Sequence, residues 1–292
     1  MTAGIEEWWS EGNLVPLTIA GTPRSVFVRR IGSGPVMTLL HGFPSSSYDW
    51  AQVVPVLAAH HTLLIPDFLG FGASEKPAEH DYSIHEQADL VAALWQHEAV
   101  ASTQLVAHDY GTTVAQELLA RAADGVLRSR LTNLTLLNGG IYPELHRPEP
   151  AQETLLDPET GPLISASLTA ELMATALAPT FAEHYDPSAD TAEMWKGVSR
   201  GDGRLHFHRL IHYITDRTVH RDRWVDAMET SGVPTTFIWG LRDPISGAHM
   251  AERIAERMPK ATLHGLTDVG HWPPLEAPQR VASLILAAGA SG

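Results

Sequence analysis

Short apolar runs recur along this chain, and amphipathic stretches separate them. Residues 36–40, 62–65, 103–107, 131–137, 234–239 and 261–264 are dense in Val, Ile, Leu, Thr and aromatic side chains and read as buried strands. Residues 84–95, 113–122, 250–258 and 278–288 carry helical periodicity between or after them. Strands that alternate with helices need crossover connections, which give an α/β fold with a mostly parallel sheet flanked by helices. The alternation stops between Gly139 and about Val225, where helical pieces follow one another across turns such as Arg147-Pro-Glu-Pro150. The expected organisation is a core domain of residues 1–139 and 226–292, with a helical cap inserted over 140–225.

Composition narrows the functional classes. Lys and Arg total 20 against 34 Asp and Glu, a formal net charge of −14. An acidic protein is a poor sequence-independent ligand for phosphate backbones, so no nucleic-acid partner is expected. There is no cysteine, which excludes disulfide scaffolds, thiolate metal sites and cysteine nucleophiles. The acidic start, Met1-Thr-Ala-Gly-Ile-Glu-Glu-Trp-Trp9, lacks the basic-then-apolar plan of a signal peptide. No apolar run approaches the roughly 18 residues of a membrane span. A soluble, cytoplasmic protein with no membrane partner is expected. The oligomeric state is not readable, and a homodimer stays open.

Three motifs carry the chemistry. Ala107-His-Asp-Tyr-Gly111 follows a strand and opens a helix, the position of the nucleophile elbow of α/β-hydrolases, with Asp109 at its centre. Taken alone, the same residues suit an ordinary strand-to-helix turn capped by Asp109. Trp239-Gly-Leu-Arg-Asp243-Pro follows a later strand, where a triad acid belongs. Asp268-Val-Gly-His271-Trp-Pro follows the next, where the triad histidine belongs, and the order nucleophile, acid, histidine is that of the fold. His41-Gly-Phe-Pro44 ends an earlier strand, at the place that supplies one N–H of an oxyanion hole. The hole is therefore assigned to the N–H groups of Phe43 and Tyr110.

An aspartate at the elbow changes the reaction class. A carboxylate with an ordinary pKa near ~3.9 is already ionised at neutral pH, and it can displace a leaving group from an sp³ carbon without a base. His271, oriented by Asp243, is then free to activate the water that hydrolyses the alkyl ester. Water and the triad suffice, so no metal or organic cofactor is called for. His206-Phe-His208 with His212 lacks an acidic fourth ligand at motif spacing and is not read as a metal site.

On these residues the sequence resembles the epoxide hydrolase and haloalkane dehalogenase branch of the α/β-hydrolases. His41-Gly-Phe-Pro44, His108-Asp-Tyr-Gly111 and Gly270-His-Trp272 carry that likeness together. Residues 137–148 and His212-Tyr-Ile-Thr-Asp-Arg217 are similar to the mesoderm-specific transcript subgroup. The resemblance implies a substrate that is a small aliphatic or alicyclic epoxide, or else a haloalkane. Dehalogenases of this branch typically bind halide through a Trp after the nucleophile and an Asn after the His-Gly, or a second Trp in the cap. Here the first two positions hold Tyr110 and Phe43, which favours epoxide opening to a diol, with dehalogenation as the alternative main or side activity. The resemblance further implies cap donors for the ring oxygen: Tyr213 resembles one, and His146 is the candidate for the other. His41, Pro44, Tyr142 and Trp272 are expected to line the substrate pocket. The non-catalytic alternative is a hydrolase fold kept for ligand binding.

Overall fold

Eight strands form one sheet in the spatial order β1-β2-β4-β3-β5-β6-β7-β8. They are β1 (Asn13–Ile19), β2 (Thr22–Gly32), β3 (Val36–Leu40), β4 (Thr62–Pro66), β5 (Ser102–His108), β6 (Arg130–Leu137), β7 (Thr235–Gly240) and β8 (Thr262–Leu266). The pairings from β4 through β8 are parallel, while β1–β2 and β2–β4 are antiparallel. The structure, a computed structural model, describes residues 4–289; the start and end of the expected core domain, residues 1–3 and 290–292, lie outside the described residues.

Alternate strand residues feed two cores. Leu64, Leu105, Leu136, Phe237 and Trp239 point to one face, and Leu63, Val106, Leu137 and Ile238 to the other. This two-sided burial is why the parallel strands read as unbroken apolar runs. α3 (Ile84–His97) and α4 (Tyr110–Ala123) cover the first face, and α1 (Ile5–Ser10), α2 (Val54–Leu57) and the C-terminal helix (Pro278–Gly289) cover the second.

The β1–β2 hairpin is absent from the sequence reading, for a physical reason. Pro16 interrupts the apolar run of β1, and β2 carries only the short apolar stretch Val26-Phe-Val28 between polar and charged residues. Pro16 is tolerated because β1 is the outermost strand, where a missing N–H breaks no second ladder.

Between β6 and β7 the described chain holds helices and no strand. They are α5 (Pro150–Leu156), α6 (Gly161–Ser167), α7 (Ala170–Leu177), α8 (Ser188–Ser199), α9 (Phe207–Leu210), α10 (Tyr213–Val219) and α11 (Arg221–Thr230). The boundary expected at 225/226 falls inside α11, which packs against α4 of the core. Two more helices, α12 (Ala248–Arg257) and α13 (Pro273–Glu276), precede the C-terminal α14. No single described helix is long and apolar enough to cross a membrane; the bent pair 161–167 with 170–180 meets the length and composition test only when joined across its 118° bend.

Glu117 holds α11 to α4. Its buried carboxylate accepts from Arg121 Nε at 2.8 Å, Arg223 Nε at 3.1 Å and Trp224 Nε1 at 2.8 Å. Burial opposes its charge, but His85, Arg121, Trp224 and Arg223 together hold the carboxyl well below the usual glutamate range. Replacing it with Ala strands three donors, so Glu117→Ala should lower stability by about 3 kcal/mol in urea unfolding, whereas an exposed change such as Glu159→Ala should cost little.

Candidate active site

β5 passes into α4 through Asp109, whose backbone stands at φ 41° and ψ −105°, outside the regions that L residues ordinarily occupy. Gly111 makes so tight a turn possible: a Cβ there would meet the His41 carbonyl and Leu40 Cβ at 2.9 Å. The turn presents the Asp109 side chain at the carboxyl edge of the sheet. The loops after β3, β6, β7 and β8 bring their residues to the same edge, where ligands of open α/β sheets gather.

The two carboxylate oxygens of Asp109 have different surroundings. Oδ2 accepts from the Phe43 N–H at 3.0 Å. Oδ1 lies 3.9 Å from His271 Nε2 and 3.5 Å from Arg217 Nη2. Tyr110 is the first residue of α4, so its N–H has no partner within the helix and belongs to the same anion-favouring end.

His271 is fixed from both sides. Its Nδ1–H donates to Asp243 Oδ2 at 2.8 Å, and its backbone carbonyl accepts from His108 Nε2 at 2.7 Å. Asp243 Oδ2 also accepts from Asn138 Nδ2 at 2.9 Å and Ser246 Oγ at 2.7 Å, while Oδ1 accepts from the Ile245 N–H at 2.7 Å. Burial disfavours the charge on Asp243, but the His271 charge and these donors outweigh it and keep the carboxyl well below its ordinary value. Burial likewise lowers the affinity of His271 for a proton, yet Asp243 and then Asp109 raise it to a pKa of about 9. At Asp109 desolvation again opposes ionisation, and His271, Arg217, His108 and the Phe43 N–H reverse it, leaving the carboxyl below the usual aspartate value.

An apolar cavity of about 110 Å³ opens onto Asp109 and His271. Phe43, Pro44, Ile245 and Trp272 form its core side. Leu155, Ile164, Met173, Leu177, Phe207 and Tyr213 are among the residues that close it from the helical insertion. Tyr213 is 2% exposed and packs its ring against Phe43 and Tyr110. Burial and then the Asp109 charge hold its phenol far above the usual range, so it stays protonated.

The structure thus brings Asp109, Asp243, His271, Phe43, Tyr110, Tyr213, Pro44 and Trp272 to one place, while three other expected residues are not among those that line the cavity. His41 is fully buried behind the wall: Nε2 accepts from the Phe68 N–H and Nδ1 donates to the Gly42 carbonyl, so it ties loops together and is not among the residues that line this cavity. Tyr142 turns its hydroxyl to Glu229 at 3.0 Å, outside the cavity. His146 does not reach the cavity wall either, although both its ring nitrogens are buried without a partner. Burial and then nearby Arg217 depress its pKa to about 4. At neutral pH it is an uncharged imidazole that keeps one N–H.

Arg217, Asn138 and Ser246 were not singled out as site residues from sequence. Arg217 and Asn138 lie within the stretches that carry the resemblance, but nothing in their spacing says that a cation or an amide will be buried against a carboxylate more than a hundred residues away.

Comparison with known proteins agrees with this architecture. The family model described as alpha/beta hydrolase fold matches residues 35–278. The mesoderm-specific transcript homolog protein of Bos taurus is 40% identical over 257 residues, spanning 85% of this chain and 76% of that protein. The solved epoxide hydrolase CorEH superposes with a TM-score of 0.73 at 23% identity, covering 96% of this chain and 99% of that one. The haloalkane dehalogenase DbeA of Bradyrhizobium elkani does so with 0.78 at 22% identity, covering 96% and 100%. With its parallel sheet, its strand-to-helix elbow and this match, the chain belongs to the α/β-hydrolase family and is a homologue of the mesoderm-specific transcript proteins.

Proposed function

We propose that this hydrolase opens short aliphatic epoxides to vicinal diols through an alkyl ester on Asp109. The observation that carries this reading is the pairing, in one apolar cavity, of an ionised aspartate with a buried phenol that keeps its proton. Oδ1 attacks a ring carbon, the carbon–oxygen bond breaks, and the electron pair goes to the ring oxygen, which takes the Tyr213 proton. His271 then removes a proton from water as that water adds to Cγ of Asp109. The Phe43 N–H at Oδ2, with the N–H of Tyr110, receives the oxyanion. Collapse breaks Cγ–Oδ1, and His271 returns its proton to the departing oxygen. The proton left on the Asp109 carboxyl passes through solvent to the Tyr213 phenolate, which leaves only epoxide and water consumed.

A halide would need N–H donors aimed into the cavity. The Trp272 Nε1–H is already committed to Thr180 Oγ1 at 2.8 Å, and Phe43 and Tyr110 offer no side-chain N–H. This supports epoxide over haloalkane as the substrate.

The charge on Asp109 also times the histidine. Asp109 is one of the two carboxylates that raise His271, and forming the ester neutralises it. His271 therefore loses proton affinity and releases the proton it carries to solvent before the step that requires a base, and it takes one back when Asp109 is ionised again.

Three outcomes are expected. In His271→Gln, incubated with 1,2-epoxybutane, intact-mass measurement should show the protein heavier by one whole epoxide, located on Asp109 by peptide mapping. 1-Bromobutane should give little ester and little free halide. An unmodified His271→Gln protein with an active wild type would remove the ester from the mechanism. Secondly, the cavity is smaller than the ~150 Å³ that accommodates benzene, so kcat/KM should be at least ~10-fold higher for 1,2-epoxybutane than for styrene oxide. Thirdly, NMR of His271 should show it titrating near pH 9 in the wild type and lower in Asp109→Asn. Because the shift from 6.5 is upward, the imidazolium stabilises the fold below about pH 6.5, and that stabilisation is lost as the pH rises through about 9. The melting temperature should fall across that window, and fall less in His271→Gln.

A further inference from the structure

Arg217 has no part in the steps above, yet it is buried against the reacting group. Its residue is 2% exposed. Nε donates to Thr113 Oγ1 at 2.7 Å, and Nη2 reaches the Asp109 backbone carbonyl at 3.3 Å and Oδ1 at 3.5 Å. The guanidinium carbon stands 4.5 Å from the centre of the Tyr213 ring. Among the described residues, Asp109 is the one carboxylate within ion-pairing distance of it. Taking a cation out of water is expensive unless its partners compensate, and an apolar side chain would fill this space without that cost.

The choice of oxygen is informative. Oδ2 rests on the Phe43 N–H, which leaves Oδ1 as the atom that attacks and later leaves inside the product. Negative charge sits on the carboxylate before attack, passes through the ring oxygen to the Tyr213 phenolate as the ester forms, and in hydrolysis gathers on Oδ2 and then develops on Oδ1 as Cγ–Oδ1 stretches, until His271 protonates that oxygen. A fixed cation beside Oδ1 favours the first and last of these states and loses its partner in the neutral ester. We propose that Arg217 is a positioning residue for ester hydrolysis: it holds Oδ1 in place for attack and stabilises that same oxygen when it departs from Cγ. This rests on the Asp109 ester reading and deepens it. Stacked on Tyr213, the guanidinium also fixes the phenol relative to the carboxylate, so that one side chain sets the distance between nucleophile and ring-oxygen donor.

The two half-reactions should therefore respond unequally. Removing the cation frees the carboxylate for attack but leaves the departing oxygen without compensation. In Arg217→Gln, rapid-quench intact-mass measurement with 1,2-epoxybutane should show ester hydrolysis slowed by about 100-fold, the scale of one lost preorganised donor. Ester formation should stay within about 10-fold of wild type, so the ester becomes the main steady-state species and kcat falls much more than kcat/KM. Arg217→Lys should recover part of the loss. A second readout needs no turnover. The Asp109 carboxyl is faced by His271, Arg217, His108, His41, His146 and the Tyr213 phenol, with Asp243 behind His271. Of these only Arg217 changes in the variant. Carbon-13 NMR of labelled aspartate, with Asp109→Asn to assign the signal, should show Asp109 titrating at higher pH in Arg217→Gln. Equal slowing of both half-reactions, or no change in either, together with an unmoved Asp109 titration, would overturn the proposal. Should Arg217→Gln fail to fold, Arg217→Lys and Thr113→Val put the same questions to a milder disturbance. A wild type that forms no ester would instead sink the nucleophile reading itself, while its Asp109 titration would still report on the Arg217 contact.

Discussion

The burial of one ionised carboxylate organises this molecule. Asp109 is 5% exposed beneath an apolar cavity, and desolvation alone would push it toward the neutral acid. It stays charged because His271, Arg217 and a backbone N–H surround it. Each compensating group comes from a different part of the chain, and the parallel sheet makes their convergence possible. Strands that run the same way end at the same edge, so the loops after β3, β5, β7 and β8 deliver Phe43, Asp109, Asp243 and His271 to one place. Arg217 arrives from the opposite side, on α10 of the helical insertion. The insertion therefore supplies charge compensation as well as a roof.

The same logic explains what could be read from sequence. The parallel strands were legible because they are buried on both faces and carry continuous apolar runs. Asp109, Asp243 and His271 were legible because each lies in the turn after a recognisable strand, so that strand order fixes where the residue must lie. β1 and β2 were not: β1 is an edge strand interrupted by Pro16, and β2 carries only a short apolar stretch between polar residues. Helical residues beyond β6 carry no comparable coordinate. Tyr213, Tyr142 and His146 look alike as candidate site residues, and only packing tells them apart. Tyr213 turns into the cavity, Tyr142 turns to Glu229, and His146 is buried without any partner. His41 misleads for a related reason: a histidine beside a catalytic loop can serve that loop's backbone instead of its substrate.

The polar groups around the site divide into two layers with different work. Asn138, Ser246 and the Ile245 N–H all donate to Asp243, and His108 donates to the His271 carbonyl. None of these atoms needs to meet substrate. They fix the imidazole in one tautomer and one orientation, with Nδ1–H committed to Asp243 and Nε2 directed to the cavity. The 3.9 Å between Nε2 and Oδ1 is too long for a hydrogen bond, so neither atom is committed to the other. An elbow serine would need that bond in order to lose its proton, whereas an ionised aspartate does not.

Viewed by charge, the proposed cycle moves a single negative charge past fixed positive neighbours. It begins on Asp109, passes through the ring oxygen to Tyr213, and develops on Oδ1 as the ester is cleaved, before the Asp109 carboxylate is restored. Arg217 touches both the carboxylate and the Tyr213 ring, so it lies near the charge at either end of that path. His271 responds in the opposite sense, because its high proton affinity depends partly on the charge that leaves Asp109. A permanent cation and a titrating one thus divide the work. Arginine cannot give up its proton and holds the electrostatic frame, while histidine becomes a base only after the nucleophile has been consumed. A lysine at position 217 would keep the charge but lose the planar contact with Tyr213 and the fork that binds Thr113 and Asp109 together, which is why it should restore only part of the function.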